Sequence, residues 1–341
     1  MRPNGRRTTL ADIAQAAGVS VATVSKVVNG RGDVAPQTRT RVQELLHHHD
    51  YLAPVFRHTE AVENPTIEVQ FKGGLKPYVA ETLEGIIDSA SELGASVVIS
   101  KASSAPHWAR DLVSAGRRAV IAVTSVYTTA HLNELARSGL PLVVLDPLHL
   151  PDSRVNSVGA TNFAGGLAAT QHLLSLGHRR VAYLGGPSMA VCNQARMHGY
   201  RAAIEAGGAQ APEAYVQPGE FTYETGLLGA AALLDLQEPP TAIFAGNDEI
   251  AVGVIETARG RGLRVPEDLS VVGFDDTSLA QMSSPPLTTV RQPLREMGGA
   301  ALRTALRLAN GEKVESHHIE LATELVVRAS TAPPSEEPGR R

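Results

Sequence analysis

Thr9-Leu10-Ala11-Asp12-Ile13-Ala14-Gln15-Ala16-Ala17-Gly18-Val19-Ser20-Val21-Ala22-Thr23-Val24-Ser25-Lys26-Val27-Val28-Asn29-Gly30 decides the reading of this chain. Thr9 stands where it can cap a helix, and Asp12, three residues on, supplies an acidic partner for the free N–H groups. Leu10, Ile13, Ala14 and Ala17 then share one face. Gly18 ends the helix and permits a tight turn. Ser20 caps a second helix over 21–28, which Asn29-Gly30 stops. Val24 and Val28 face inward in this reading. Helix, short turn, helix is the spacing of a helix-turn-helix, which lays its second helix in the major groove of DNA.

Outward from that stretch, a third helix runs from Pro36 through Val42, Leu45 and Leu46 to about His49. His47, His48 and His49 do not read as a metal site, because successive helical residues point in different directions. Upstream, Met1 to Arg7 is basic but no apolar stretch follows, so it is not a secretory signal.

The sequence has 341 residues, 43% apolar and 19% charged, with 4% aromatic. That is enough for two or three packed domains. One cysteine, Cys192, excludes a disulfide scaffold or a cysteine-rich zinc site. No apolar run approaches the roughly 20 residues of a membrane span, so a soluble cytoplasmic protein is expected. Residues 1–57 hold 8 Lys/Arg against 4 Asp/Glu, and residues 58–341 hold 23 against 31. A basic head on an acidic body suggests that the head meets a polyanion.

Residues 58–66 read as a linker without clear periodicity. From 67 onward, apolar runs alternate with helical patterns. The runs fall at 67–71, 96–100, 119–123 and 142–145, then at 181–184, 215–217, 242–245 and 270–274. Helices are expected near 77–93, 107–115, 129–138, 163–176, 192–206, 224–235 and 249–261. Two such series predict two lobes, each a doubly wound parallel sheet. Ligands of such sheets bind at the strands' carboxyl ends, so two facing lobes hold a ligand in the cleft between them. The expected boundaries are a head over 1–57 and a two-lobed core over 67–330. Lobe 1 takes about 67–161 and 292–321, and lobe 2 about 162–291 and 322–330. The proline-rich end, 331–341, has the composition of a disordered tail.

The head resembles the DNA-binding domain of the lactose-repressor (LacI/GalR) family. The body carries the resemblance further through Leu176-Gly177-His178-Arg179-Arg180, Ala245-Gly246-Asn247-Asp248, Val271-Val272-Gly273-Phe274-Asp275-Asp276 and Pro286-Leu287-Thr288-Thr289-Val290-Arg291-Gln292-Pro293. It implies a homodimeric transcription factor with an all-α helix-turn-helix head and a periplasmic-binding-protein-like α/β core. It implies base reading by Val21 and Ala22, whose apolar side chains can only pack on thymine methyls or exclude bulk. Lys26 is a candidate donor to guanine, with a phosphate contact as the alternative. Ser20, Thr23, Ser25 and Asn29 suit phosphates, as do Thr9 and Leu10 at the first helix's N-terminus. Family members carry a hinge helix whose leucine wedges into the minor groove. The linker here departs from that pattern: Val62 is the candidate wedge, flanked by Glu60 and Glu63, with an ordinary linker residue as the alternative.

In the body, the resemblance implies that Arg196 reaches ligand hydroxyls or a carboxylate, and that Phe221 stacks on the ligand's apolar face. Asp275, at a strand end, suits vicinal hydroxyls, and Asn247 offers a donor and an acceptor. Tyr78, Ser125 and Asp146 come from the first lobe, and Asn162 and Phe163 from the crossover. Asp276 reads as a helix cap or turn former and Trp108 as packing. No Gly-x-Ser-x-Gly elbow, nucleophile–base pair or Gly-x-Gly-x-x-Gly is present, so neither an enzyme nor a dinucleotide cofactor is expected. The reading is a repressor that double-stranded operator DNA holds until a small sugar fills the cleft. A corepressor-type regulator binding a purine is the alternative.

Overall fold

The computed structural model describes residues 9–28, 34–48, 64–102, 107–124, 127–148, 155–209 and 212–335. The head is three helices: α1 (Leu10–Ala17), α2 (Val21–Val28) and α3 (Pro36–His48). Both expected caps form. The Asp12 N–H donates to Thr9 Oγ1 at 3.3 Å, and the Thr9 N–H donates to the Asp12 carboxylate at 2.8 Å. Gly18 takes φ 68°, the left-handed conformation a side chain would resist. The Thr23 N–H donates to Ser20 Oγ at 3.1 Å. Ile13, Ala14, Ala17, Val24, Val27 and Val42 are buried together. Val27 and not Val28 is the fully buried partner of Val24, with Val28 half-buried at the edge of that core.

The body begins with β1 (Thr66–Phe71), α4 (Pro77–Glu92), β2 (Ser96–Lys101), α5 (Trp108–Ser114), β3 (Arg117–Val123), α6 (Thr129–Ser138) and β4 (Leu142–Leu145). β5 (Asn156–Ala160) completes this run, and α7 (Asn162–Ser175) leaves it. The second run is β6 (Val181–Leu184), α8 (Val191–Ala206), β7 (Val216–Gln217), α9 (Tyr223–Leu234), β8 (Ala242–Ala245) and α10 (Asp248–Gly260). It continues through β9 (Ser270–Asp275), α11 (Ser278–Met282) and β10 (Thr288–Arg291). The chain then returns to the first lobe for α12 (Leu294–Ala309) and β11 (His318–Leu321), and ends in the second with β12 (Glu324–Val326).

Among the described residues the strands form two six-stranded sheets, ordered β11-β5-β4-β3-β1-β2 and β12-β10-β9-β8-β6-β7. All pairings are parallel except β10 with β12. The chain therefore passes between sheets three times: between β5 and α7, between β10 and α12, and between β11 and β12. The first five strands of each sheet follow the doubly wound order 2-1-3-4-5, which sets ligand sites at the carboxyl ends of the strands. Residues 331 and 332 correct the expectation of disorder from 331 on. The Ala332 carbonyl accepts from His178 Nε2 at 2.9 Å and from Ser270 Oγ at 3.0 Å, and Thr331 Oγ1 lies 3.0 Å from His172 Nε2. Buried polar groups of lobe 2 need these partners, so residues 331 and 332 are bound where composition predicted freedom.

Candidate functional site

The cleft is organised around one buried cation. Arg196 sits on α8 and is 2% exposed. α8 lies against α7 at very short range: a side chain at Gly166 would meet the Arg196 carbonyl at 2.3 Å. That approach lets Arg196 Nε donate to Asn162 Oδ1 at 2.7 Å. Its Nη1 donates to the Gly246 carbonyl at 2.6 Å. The guanidinium carbon lies 3.8 Å from the Phe274 ring centroid and 5.6 Å from that of Phe221.

Two carboxylates face this cation, one from each lobe. Asp275 Oδ1 is 3.6 Å from Nη1, and Asp146 Oδ2 is 4.0 Å from Nη2. Asp275 is the last residue of β9, and Asp146 directly follows β4. Both take positive φ, 108° for Asp275 and 46° for Asp146, a strained conformation for a side-chain-bearing residue. Burial pushes both carboxyls up, and the Arg196 charge opposes it. Gln292 Nε2 donates to Asp275 Oδ1 at 2.7 Å. The Tyr78 hydroxyl is buried, its phenol pushed well up by burial and then by Asp146 and Asp275. The cluster thus carries two carboxylates to one guanidinium. Such a set offers directed acceptors and donors to hydroxyls beside the apolar face of Phe221.

The structure brings together Tyr78, Asp146, Asn162, Arg196, Phe221 and Asp275. Phe163 is different: it is 48% exposed, on the wall of a neighbouring cavity. Asn247 Oδ1 accepts the Ile250 N–H at 2.9 Å and so caps α10, which commits its acceptor to the helix. Ser125, Asn29 and Val62 lie outside the described residues. Asp276 is held by Arg291 and Arg328 at 2.7 and 2.6 Å and caps no helix. Trp108 packs in lobe 1 beside Tyr127 and His131, as expected. Cys192 is buried, and burial pushes its thiol up to about 12, so it is no nucleophile at neutral pH. Among the described residues no His, Cys, Asp and Glu cluster could hold a metal ion.

Sequence reasoning missed Phe274, Gly246 and Gln292, although each lies inside a motif it singled out. It also missed a bridge across the cleft. Lys76 Nζ, at the start of α4 in lobe 1, donates at 2.7 Å to the Phe221 carbonyl and at 2.7 Å to Glu249 Oε2, both in lobe 2. Nearby, Glu81 Oε1 accepts the Ser278 N–H at 2.9 Å.

On the head, Val21 is 48% exposed, and Ala22 and Lys26 are exposed beside it on α2. The Thr9, Ser20 and Thr23 hydroxyls engage one another or Asp12 at the helix starts. Leu10 and Ser25 are half-buried.

Residues 9–53 match the bacterial regulatory proteins of the lacI family, and residues 170–331 match a periplasmic binding protein-like domain. The HTH-type transcriptional regulator DegA of Bacillus subtilis is 36% identical over 339 residues, covering 96% of this chain and 99% of DegA. A structure of the transcriptional regulator CelR–cellobiose complex superposes with a TM-score of 0.73 at 33% identity, covering 95% of this chain and all of that one. The lac repressor dimer bound to operator and the anti-inducer ONPF superposes with a TM-score of 0.70 at 28% identity, over 96% of this chain and 100% of that chain. A helix-turn-helix head, two doubly wound lobes and likeness along nearly the whole chain lead to one assignment: this protein belongs to the lacI family of bacterial regulatory proteins and is a DNA-binding transcriptional regulator.

Proposed function

We propose that this regulator is a repressor that leaves its operator when a small neutral sugar binds between the lobes. The observation that carries the reading is Arg196 held between Asp146 of one lobe and Asp275 of the other. A ligand whose hydroxyls bridge these groups contacts both lobes at once, so it favours one lobe arrangement over others. Two heads on a two-fold dimer would then face the two halves of a pseudo-palindromic operator, with Val21, Ala22 and Lys26 toward the base edges. Exposed apolar side chains supply a face for the second copy: Ile87 on lobe 1, and Leu228 and Met282, 70% and 80% exposed, on lobe 2. The CelR complex with cellobiose supports the sugar reading, and the lac repressor dimer on its operator supports the assembly. No described helix is long and apolar enough to cross a membrane. Operator binding implies a cytoplasmic place of work.

The test is a thermal-shift screen against monosaccharides, disaccharides, sugar phosphates and purines, followed by operator titration with each hit. A ligand at ~100 times its Kd adds about 2.7 kcal/mol of stability. The expected result is a neutral sugar whose effect disappears in Asp275→Asn and which weakens operator binding. A purine hit that strengthens operator binding would replace this reading with corepression.

A further inference from the structure

The chain end is fastened to lobe 2 as a strap. The Arg328 N–H donates to Thr288 Oγ1 at 2.9 Å, and the Ala329 N–H to the Pro286 carbonyl at 3.0 Å. Ser330 is buried between the starts of β9 and β10. Its Oγ donates to the Val271 carbonyl at 2.6 Å and accepts the Thr288 N–H at 2.8 Å, and its carbonyl accepts the Val271 N–H at 2.9 Å. Thr331 Oγ1 lies 3.0 Å from His172 Nε2 on α7. Ala332 meets Ser270 Oγ with both its N–H and its carbonyl, at 3.1 and 3.0 Å. At the strap's other end, Arg328 Nη2 donates at 2.6 Å to Asp276, the neighbour of Asp275 in the cleft.

His178, buried in the loop between α7 and β6, closes the strap. Its Nε2 lies 2.9 Å from the Ala332 carbonyl, which can only accept, so Nε2 carries the hydrogen. In the neutral ring Nδ1 is then bare. It lies 2.9 Å from Thr241 Oγ1, so the Thr241 hydroxyl donates to it. The neutral ring is satisfied on both sides. A proton on Nδ1 sets a donor against a donor. The Thr241 hydroxyl must then turn away, and its other acceptor, the Arg180 carbonyl, is 3.4 Å off. The new charge also lacks a counter-ion, since among the described residues no carboxylate bonds to the ring. The titratable and charged groups around it are His172 on α7, Arg179 and Arg180 in its own loop, and Asp268, two residues before Ser270. Asp268 is engaged by Arg264 at 3.0 Å. Glu336 and Glu337 lie outside the described residues. Burial lowers both His178 and His172.

We infer that His178 is an acid-sensitive clasp, which holds the strap 328–335 on lobe 2 while its ring is neutral and releases it when the ring takes up a second proton. Once the strap opens, the ring stands in water, where its ordinary value is about 6.5. Opening therefore grows as pH falls from about 6.5 toward the lowered folded value, by at most about tenfold per unit, and levels off below it. Arg328 and the Asp276 loop are the route by which an open strap reaches the cleft.

The test is hydrogen exchange of the purified full chain, read by mass spectrometry at about pH 7.5 and about pH 5, with each rate taken relative to intrinsic exchange at that pH. Residues 328–335 are expected to lose protection by at least about threefold in acid, with 181–184 of β6 and 242–245 of β8 unchanged within about twofold. His178→Gln offers an amide that donates to Ala332 and accepts from Thr241 without titrating, so it should keep the strap at both pH values. Thr241→Asp, at a half-buried position, sets a carboxylate against Nδ1 and should also hold the strap in acid. It keeps the test open if His178→Gln does not fold. Wild-type strap protection that is the same at both pH values overturns the clasp. So does an acid loss that persists in the two variants. A loss spread equally over β6 and β8 overturns it too, because that is unfolding of the lobe and not release of the strap.

Discussion

Arg196 shows how a single residue joins stability to recognition. It is buried, makes two short hydrogen bonds and stands between two carboxylates. Removing one partner from a buried ionic set leaves charge uncompensated, at a cost of about 3–5 kcal/mol. Arg196→Ala is therefore expected to lose stability on that scale in denaturant titrations. Asp275→Asn removes a carboxylate that burial already disfavours as an anion, and its stability should change by less than about 1 kcal/mol. Equal losses in the two variants would contradict the assignment of Arg196 as the keystone. Two other buried groups give opposite pH signatures. Asp248 accepts from the Thr277 N–H, the Thr277 hydroxyl and the Thr289 hydroxyl, and burial raises its carboxyl to about 7. Its folded value lies above the unfolded one, so its contribution is fully present below about pH 4 and is lost as pH rises through 7. Asp248→Asn should gain on the wild type as pH rises across that window. Burial lowers His178, so its contribution is present above about pH 6.5 and is lost as pH falls through its folded value. His178→Gln should gain on the wild type as pH falls below about 6.5. Parallel stability curves for either variant and the wild type would remove that group from the account. The residues whose chemistry is local were legible in the sequence. Phe274, Gly246 and Gln292 were not, because their role depends on which residue from a distant segment comes to rest on them.

Elements were legible where their own residues fixed them. The head is the clearest case: the Thr9 and Ser20 caps and the Gly18 stop lie within one short stretch and form as read, while Val27 rather than Val28 completes the inward face of α2. The cap at Ser20 also allows stability and DNA contact to be separated. Ser20→Ala removes the acceptor for the Thr23 N–H and should cost about 1 kcal/mol of head stability. Ser20→Asp keeps a capping oxygen, so the head should melt near its wild-type temperature. Its added charge at the start of α2 should nevertheless weaken operator binding and reduce the salt dependence of that binding. If Ser20→Asp binds operator as well as the wild type, this helix start does not approach phosphate. Other elements escaped notice for physical reasons. β5, Asn156-Ser157-Val158-Gly159-Ala160, has little apolar character, yet it lies inside a sheet because the crossover delivers it there. β10, β11 and β12 have three or four residues each, and their pairing comes from segments far along the chain. The amphipathic α12 covers lobe 1 although the strand before it, β10, belongs to lobe 2.

At the scale of the whole molecule, Lys76 bridges the two lobes across the cleft. Its ammonium bonds to a backbone carbonyl and to Glu249 across the gap, and its side chain is 42% exposed. A pair this exposed contributes at most about 1 kcal/mol after screening, or roughly fivefold in an equilibrium. That is too little to lock the lobes and enough to bias them. If closure accompanies effector binding, Lys76→Ala should weaken effector affinity by up to about fivefold, with no change in the groups that touch the ligand. Glu249→Gln should act in the same direction. The double variant should add little, because both changes remove the same contact. Raising salt should weaken effector binding more in the wild type than in Lys76→Ala, since only the wild type has this pair to screen. Linkage fixes the remaining consequence: in the variant as in the wild type, the factor by which effector weakens operator binding must equal the factor by which operator weakens effector binding. Calorimetry with and without operator measures both quantities. Unchanged effector affinity together with an unchanged salt response would show that the Lys76 bridge forms in open and closed lobes alike, and the bias would then have to arise inside the cleft, from Arg196 and its two carboxylates.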